Sequence, residues 1–103
     1  MAAGATRAIE KRAAVIKALG HPSRLLIAEA LMKGEQCVCD LQALVGADIS
    51  TVSKHLSLMR KAGVLNCEKR GLQIFYSLAC DCLGEFLHCV DQLATGGRKS
   101  NCC

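Results

Sequence analysis

Eight of the 103 residues are cysteine, and most stand in groups that suit thiol chemistry. Cys37 and Cys39 flank one residue in "CVCDL". Cys80, Cys82 and Cys89 share "ACDCLGEFLHC", Cys102 and Cys103 end the chain, and Cys67 stands alone. Deprotonated thiols bind soft ions and act as redox sensors, while buried ones serve as small apolar packing. Spacing discriminates among these uses. Side chains two apart in an α-helix point about 200° apart, so Cys37 and Cys39 can share one ion only if Cys37 precedes the helix or its first turn unwinds. Cys82 and Cys89 fall on one helix face, about 10.5 Å apart along the axis, too far for one ion within one helix. Across an antiparallel pair of such helices, Cys82 of one protomer would approach Cys89 of its partner, with Cys80 as a third thiol. The tail "TGGRKSNCC" is flexible by composition, and about nine such residues have a reach of about 17 Å. Cys102 and Cys103 are therefore candidates for a third thiol beside Cys37 and Cys39. Each group also has a plain reading, as packing cysteines or as an oxidisable chain end. Cys67 reads as core, His88 as a surface or locally bonded helix histidine, and His21 as a turn or capping residue.

The elements that must position these groups follow from hydrophobic period and punctuation. Ile9, Ala13, Ile16 and Leu19 predict a first helix over 5–18, stopped by Gly20. Pro22 opens a second helix, with Leu25, Leu26, Ala28 and Leu31 mostly inward and Gly34 past its end. A short third helix over 38–45 turns Leu41 and Leu44 inward. "GAD" (46–48) makes a tight turn with Asp48 as N-cap of a fourth helix over 49–62, which buries Ile49, Val52, Leu56 and Met59. The period then drops to two: "VLNCEKRGLQIFYSL" predicts strands over 64–68 and 72–78 around a Lys69–Arg70–Gly71 tip. A fifth helix over 81–94 carries Leu83, Phe86, Leu87, Val90 and Leu93. This order, α-α-α-α-β-β-α, is a mainly α winged helix-turn-helix. Residues 1–94 form one DNA-binding and dimerisation domain, and 95–103 form the tail.

The fourth helix has a polar face: Ser50, Thr51, Lys54, His55, Ser57 and Lys61 lie off its apolar stripe, and Ser53 either joins them or bonds back to the helix. Small hydroxyls near a helix N-terminus allow close approach to phosphate, and Lys54 and His55 extend toward base edges in a major groove. Lys69 and Arg70 suit phosphate or minor-groove contact. Operators for such heads carry two half-sites a helical turn or a multiple apart, which calls for a homodimer. The first and fifth helices carry apolar surface beyond what a small core consumes and are assigned to that interface.

The blocks "LGHPSRLLIAEAL" (19–31), "CVCDL" (37–41), "STVSKHLSLMRKAGVL" (50–65) and "KRGLQIFYSL" (69–78) together resemble the arsenic- and metal-responsive ArsR/SmtB repressor family, with "CVCDL" similar to its thiolate-sensing branch. The resemblance implies a dimeric repressor that leaves its operator on binding a metal or metalloid ion. The chain departs from the family pattern in three places. Gln42 stands where arsenic-responsive members carry a third cysteine. Residues 1–36 contain no cysteine for a cadmium- or lead-type site, and the fifth helix lacks the Asp/His pattern of the zinc branch. The third ligand is thus left open.

Composition agrees with a small DNA-associated domain. Net charge is +4, half the residues are hydrophobic, and only three are aromatic, so the core is aliphatic. No segment reaches the roughly 18 apolar residues of a membrane span, and the N-terminus lacks a signal-peptide apolar block. A cytoplasmic protein with reduced thiols is expected. No nucleophile–base–orienter set or phosphate loop is present, so no enzyme is expected. The functional expectation is a homodimeric transcriptional repressor bound to double-stranded operator DNA. It is released by As(III) or Sb(III), with Cd(II) and Pb(II) also open. Two other readings stand beside it. One is a thiol–disulfide switch on the same fold, through Cys37/Cys39 or the Cys80/Cys82/Cys89 group. The other is a thiol-rich metal buffer with no DNA role.

Overall fold

The computed structural model describes residues 3–96. Its elements are α1 (Ala3–Leu19), α2 (Pro22–Leu31), β1 (Gln36–Cys37), α3 (Val38–Val45), α4 (Ile49–Lys61), β2 (Leu65–Arg70), β3 (Gln73–Leu78) and α5 (Cys82–Thr95). This is the winged helix-turn-helix expected from the sequence, with one strand more. The tail cysteines, Cys102 and Cys103, lie outside the described residues.

Local chemistry sets the helix boundaries. His21 caps α2: its backbone is extended (φ −145°, ψ 136°), its Nδ1 accepts from the Ser23 N–H at 3.1 Å, and Pro22 follows where no donor is needed. Gly46 ends α3 in the left-handed region (φ 74°), its N–H donating to the Gln42 carbonyl at 2.9 Å. Asp48 then caps α4, so the helix-turn-helix corner closes within three residues.

The strands form one antiparallel sheet in the order β1-β3-β2. Gln36 pairs with Tyr76 and Cys37 with Phe75 on one side of β3; Leu65 to Arg70 pair with Leu78 to Gln73 on the other. The hairpin tip is Gly71–Leu72 rather than Lys69–Arg70–Gly71. Arg70 pairs with Gln73, and only Gly71 takes positive φ (62°), the glycine-first two-residue turn that matches strand twist. Lys69 and Arg70 therefore belong to a strand, and the tip residue is a fully exposed Leu72.

Ile27, Leu41, Val52, Leu56, Met59 and Val64 are fully buried at the centre, and among the described residues no polar or charged side chain is buried. Three expected core positions differ. In the run Leu25–Leu26–Ile27, Ile27 faces inward and Leu26 outward, since three consecutive apolar residues leave the helical phase open. On α3, Val45, one turn from Leu41, packs against the core while Leu44 is exposed. Ile49, in the first turn of α4, lies beyond the core. On α1 and α5 much of the apolar face is uncovered, with Ile16 60% and Leu93 82% exposed, beside Ile9 and Phe86. No helix among the described residues is long and apolar enough to cross a membrane.

Candidate nucleic-acid interface and thiol sites

On α4 the buried stripe of Val52, Leu56 and Met59 fixes which residues face away from the protomer. Ser50, Thr51, Ser53, Lys54 and Lys61 are exposed, while His55 and Ser57 are half-buried. The Asp48 carboxylate accepts from the Thr51 backbone N–H at 3.1 Å and from the Ser50 hydroxyl at 3.0 Å. These bonds, Thr51's first, hold the carboxyl below the ordinary carboxylate range. Replacing Asp48 by alanine is expected to destabilise the fold near pH 7 through loss of the cap. Because the folded pKa lies below the unfolded value of about 3.9, the stabilisation is complete above that value and fades as pH falls through the lower folded one. Urea melts of both proteins near pH 7 and near pH 3 check this, and the gap between them should narrow at the acid end.

His55 turns back toward the protomer. Its ring lies 4.6 Å from that of His21, centroid to centroid, and Arg24 Nη1 approaches its Nδ1 at 3.4 Å. Burial first, then the neighbouring His21 and Arg24, lower its pKa, so the ring is held neutral and can accept from the guanidinium. Arg24 also donates through Nε to the Ala18 carbonyl at 2.8 Å and through Nη2 to the Lys17 carbonyl at 3.1 Å. One side chain thus closes the C-terminus of α1 and touches α4.

In the wing, Arg70 is held at several points. It donates to both carboxylate oxygens of Glu35, the second at 3.0 Å, and to Glu68, and it lies 4.8 Å over the Phe75 ring. The two carboxylates, Glu35's first, raise its pKa, and the Arg70 guanidinium lowers that of Glu35. Lys69 is exposed. Arg60, at the end of α4, donates to Cys67 Sγ at 3.3 Å, so Cys67 is a half-buried acceptor on β2 rather than a fully enclosed core residue.

Cys37 closes β1 and is the N-cap of α3, with extended backbone (φ −80°, ψ 161°) and no side-chain cap bond. It therefore stands before the helix, where sharing an ion with Cys39 requires it to be. Cys37 is buried, at 8% exposure, and Cys39, the second residue of α3, is exposed. Under limiting iodoacetamide, Cys39 is expected to alkylate faster than Cys37 by an order of magnitude or more, because Cys37 reacts only through local opening; fragment-resolved mass spectrometry reads the two sites. At the head of α5 a disulfide joins Cys80 to Cys82, while Cys89 is a free, exposed thiol. Among the described residues no three His, Cys, Asp or Glu side chains stand together to hold a metal ion.

Arg24 and Glu35 are the site residues that sequence reading does not single out. Each acts on a partner more than thirty residues away, His55 and Arg70, and no local spacing encodes such pairs.

Residues 21–66 match the family described as "Bacterial regulatory protein, arsR family". An uncharacterized HTH-type transcriptional regulator of Methanocaldococcus jannaschii is 36% identical over 85 residues, covering 82% of this chain and 96% of that one. The cadmium resistance transcriptional regulatory protein CadC of Listeria innocua is 38% identical over 61 residues. That match covers 58% of this chain and 51% of CadC, so it spans about half the length of that relative. The solution structure of a homodimeric winged helix-turn-helix DNA-binding domain from Mycobacterium bovis, a possible ArsR-family transcriptional regulator, has a TM-score of 0.83 to this chain. At 23% identity over 92% of this chain and 88% of that one, the likeness is one of fold. On the family match and the near full-length relative, the chain belongs to the ArsR/SmtB family of winged helix-turn-helix transcriptional regulators.

Proposed function

We propose that this protein is a homodimeric repressor whose hold on operator DNA is released when a thiophilic ion, foremost arsenite or antimonite, binds at Cys37 and Cys39. The observation that carries the reading is Cys37 as the extended N-cap of α3: it stands before the helix, buried, with Cys39 exposed in the first turn. Both thiols act as thiolates, so binding releases protons. A third ligand comes from Cys102 or Cys103 of the tail. The Cys80/Cys82/Cys89 group is the rival set, available to an ion only once the Cys80–Cys82 disulfide is reduced, and Cd(II) and Pb(II) are the competing ions; the CadC relative is named for cadmium resistance.

DNA contact is assigned to Ser50, Thr51, Ser53, Lys54 and Ser57 on α4 and to Lys69 and Arg70 on the wing, with His55 reaching the groove only if it leaves Arg24. The partner protomer covers the uncovered apolar face of α1 and α5. Drawing Cys37 toward Cys39 has two outlets. It reorients the start of α3, which packs against α4. It also disturbs β1, where Cys37 pairs with Phe75, beneath the Arg70 guanidinium, and where the preceding Glu35 grips Arg70. Both outlets end on DNA-contact residues.

The test is fluorescence anisotropy of labelled operator-region DNA with reduced protein, titrated with arsenite and then cadmium. Release by near-stoichiometric arsenite is the expected result. Release by cadmium alone would transfer the inducer role to that ion, and tight binding that ignores both ions would overturn the reading.

A further inference from the structure

We propose that Cys80 and Cys82 form a reversible dithiol–disulfide site that sets the first turn of α5, with small-molecule disulfides of the glutathione type as its reactant. Three observations place the chemistry there. The two sulfurs are already bonded across a Cα–Cα distance of 5.3 Å, inside the range a disulfide spans. Both residues are exposed, so a small disulfide can reach them. And α5 begins without an ordinary cap. Asp81, in the N-cap position, is helical (φ −62°, ψ −26°) and makes no side-chain cap bond. Instead the Cys82 N–H donates to Cys80 Sγ at 3.3 Å, beside the opening backbone bonds from Leu83 to the Cys80 carbonyl (3.1 Å) and from Gly84 to the Asp81 carbonyl (3.2 Å). A sulfur held in place by the disulfide thus satisfies one of the amides that a helix start leaves over.

The reaction is thiol–disulfide exchange. One protein thiolate attacks a sulfur of the reactant RSSR, forming a mixed disulfide and expelling RS⁻. The second protein thiolate attacks the protein sulfur of that mixed disulfide, closing Cys80–Cys82 and expelling the second RS⁻. The two protons of the protein thiols end on the two RSH released. Excess RSH drives the same steps backward. Neither Cys89 nor the Cys37/Cys39 pair takes part.

The site also has a place in the assembly. Cys82 lines a groove of about 420 Å³ with Arg12, Val15, Ile16, Leu83 and Phe86, between α1 and α5. Oxidation firms the α5 edge of that groove and reduction loosens it. Any effect on dimerisation rests on the homodimer reading above, whereas the exchange chemistry and the helix start do not.

The full chain is equilibrated across ratios of reduced to oxidised glutathione, alkylated and cut with trypsin. The peptide 71–98 carries Cys80, Cys82 and Cys89 and has no internal Lys or Arg. At oxidising ratios it should carry one alkyl group, on Cys89, and an internal disulfide. Amide exchange over residues 82–84 should be about fivefold slower than in the reduced chain, the size of a cap's contribution. In Cys80→Ser the peptide should take up glutathione at Cys82 and the slowing should vanish. Three alkyl groups at every ratio, stable glutathione on both Cys80 and Cys82, or a bond from either to Cys89 or another peptide would overturn the site. A Cys80–Cys82 bond with unchanged exchange over 82–84 would overturn its role at α5.

Discussion

In the Cys37→Ser/Cys39→Ser variant, operator DNA is expected to stay bound when arsenite is added, with free-state affinity within about twofold of wild type. In the wild type, arsenite should weaken operator binding by about 5–150-fold, the usual span of allosteric coupling, and operator DNA should weaken arsenite binding by the same factor. The substitution separates sensing from folding because of where the thiols sit. Serine is a favoured N-cap residue and cysteine at position 37 makes no cap bond. The new hydroxyl can accept from the exposed amides of α3, and this offsets the placing of a hydroxyl in a buried spot. Position 39 is exposed, so serine there is close to neutral. Anisotropy titrations of both proteins, with and without arsenite, read all four states. If the double variant loses operator affinity without any ion present, the pair is structural and the sensing assignment fails.

Leu56→Ala is expected to destabilise the fold by about 2–5 kcal/mol, out of the roughly 5–15 kcal/mol that domains of this kind possess. Leu56 is 1% exposed and lies in the central cluster with Leu41, Val52 and Met59. Truncation leaves a cavity where α4 is fastened to the rest of the protein. Leu58→Ala, two residues on and 38% exposed, should cost under about 1 kcal/mol. Urea melts at one protomer concentration measure the contrast, since a dimer's apparent stability varies with concentration. Equal losses at the two positions would mean that α4 is rotated from the orientation described here, and that its DNA-facing residues are misassigned with it.

The helix-turn-helix was legible because each signal in it is local. The 3.6 period of Val52, Leu56 and Met59, the left-handed Gly46 and the Asp48 cap all lie within fifteen residues. The boundary between Cys37 and α3 was legible for the same reason. Strand β1 was not, because two residues cannot display an alternating period. The hairpin is legible but its tip is not, since Gly71 could equally close a three-residue or open a two-residue turn. At the thiol sites, spacing alone identified the groups. That Cys80 and Cys82 bond to each other, that Cys67 meets Arg60, and that Arg70 is gripped by Glu35 depend on side-chain directions set by packing, which no spacing in the chain records.

In the proposed dimer, the Arg24 junction would act as gearing. The two reading helices of a dimer must match grooves about 34–36 Å apart, a ruler set by DNA and not adjustable by the protein. In each protomer, α1, on the face assigned to the partner, and α4, on the face assigned to DNA, meet through one guanidinium on Lys17, Ala18 and His55. A helix of thirteen residues is about 20 Å long, so a tilt of about 6° at that junction carries its far end by about 2 Å. Displacements of that size separate the two states of many allosteric proteins. On the homodimeric repressor proposed above, no large motion is needed for release: a small change of angle, doubled by symmetry, would put two heads out of step with one helix of DNA.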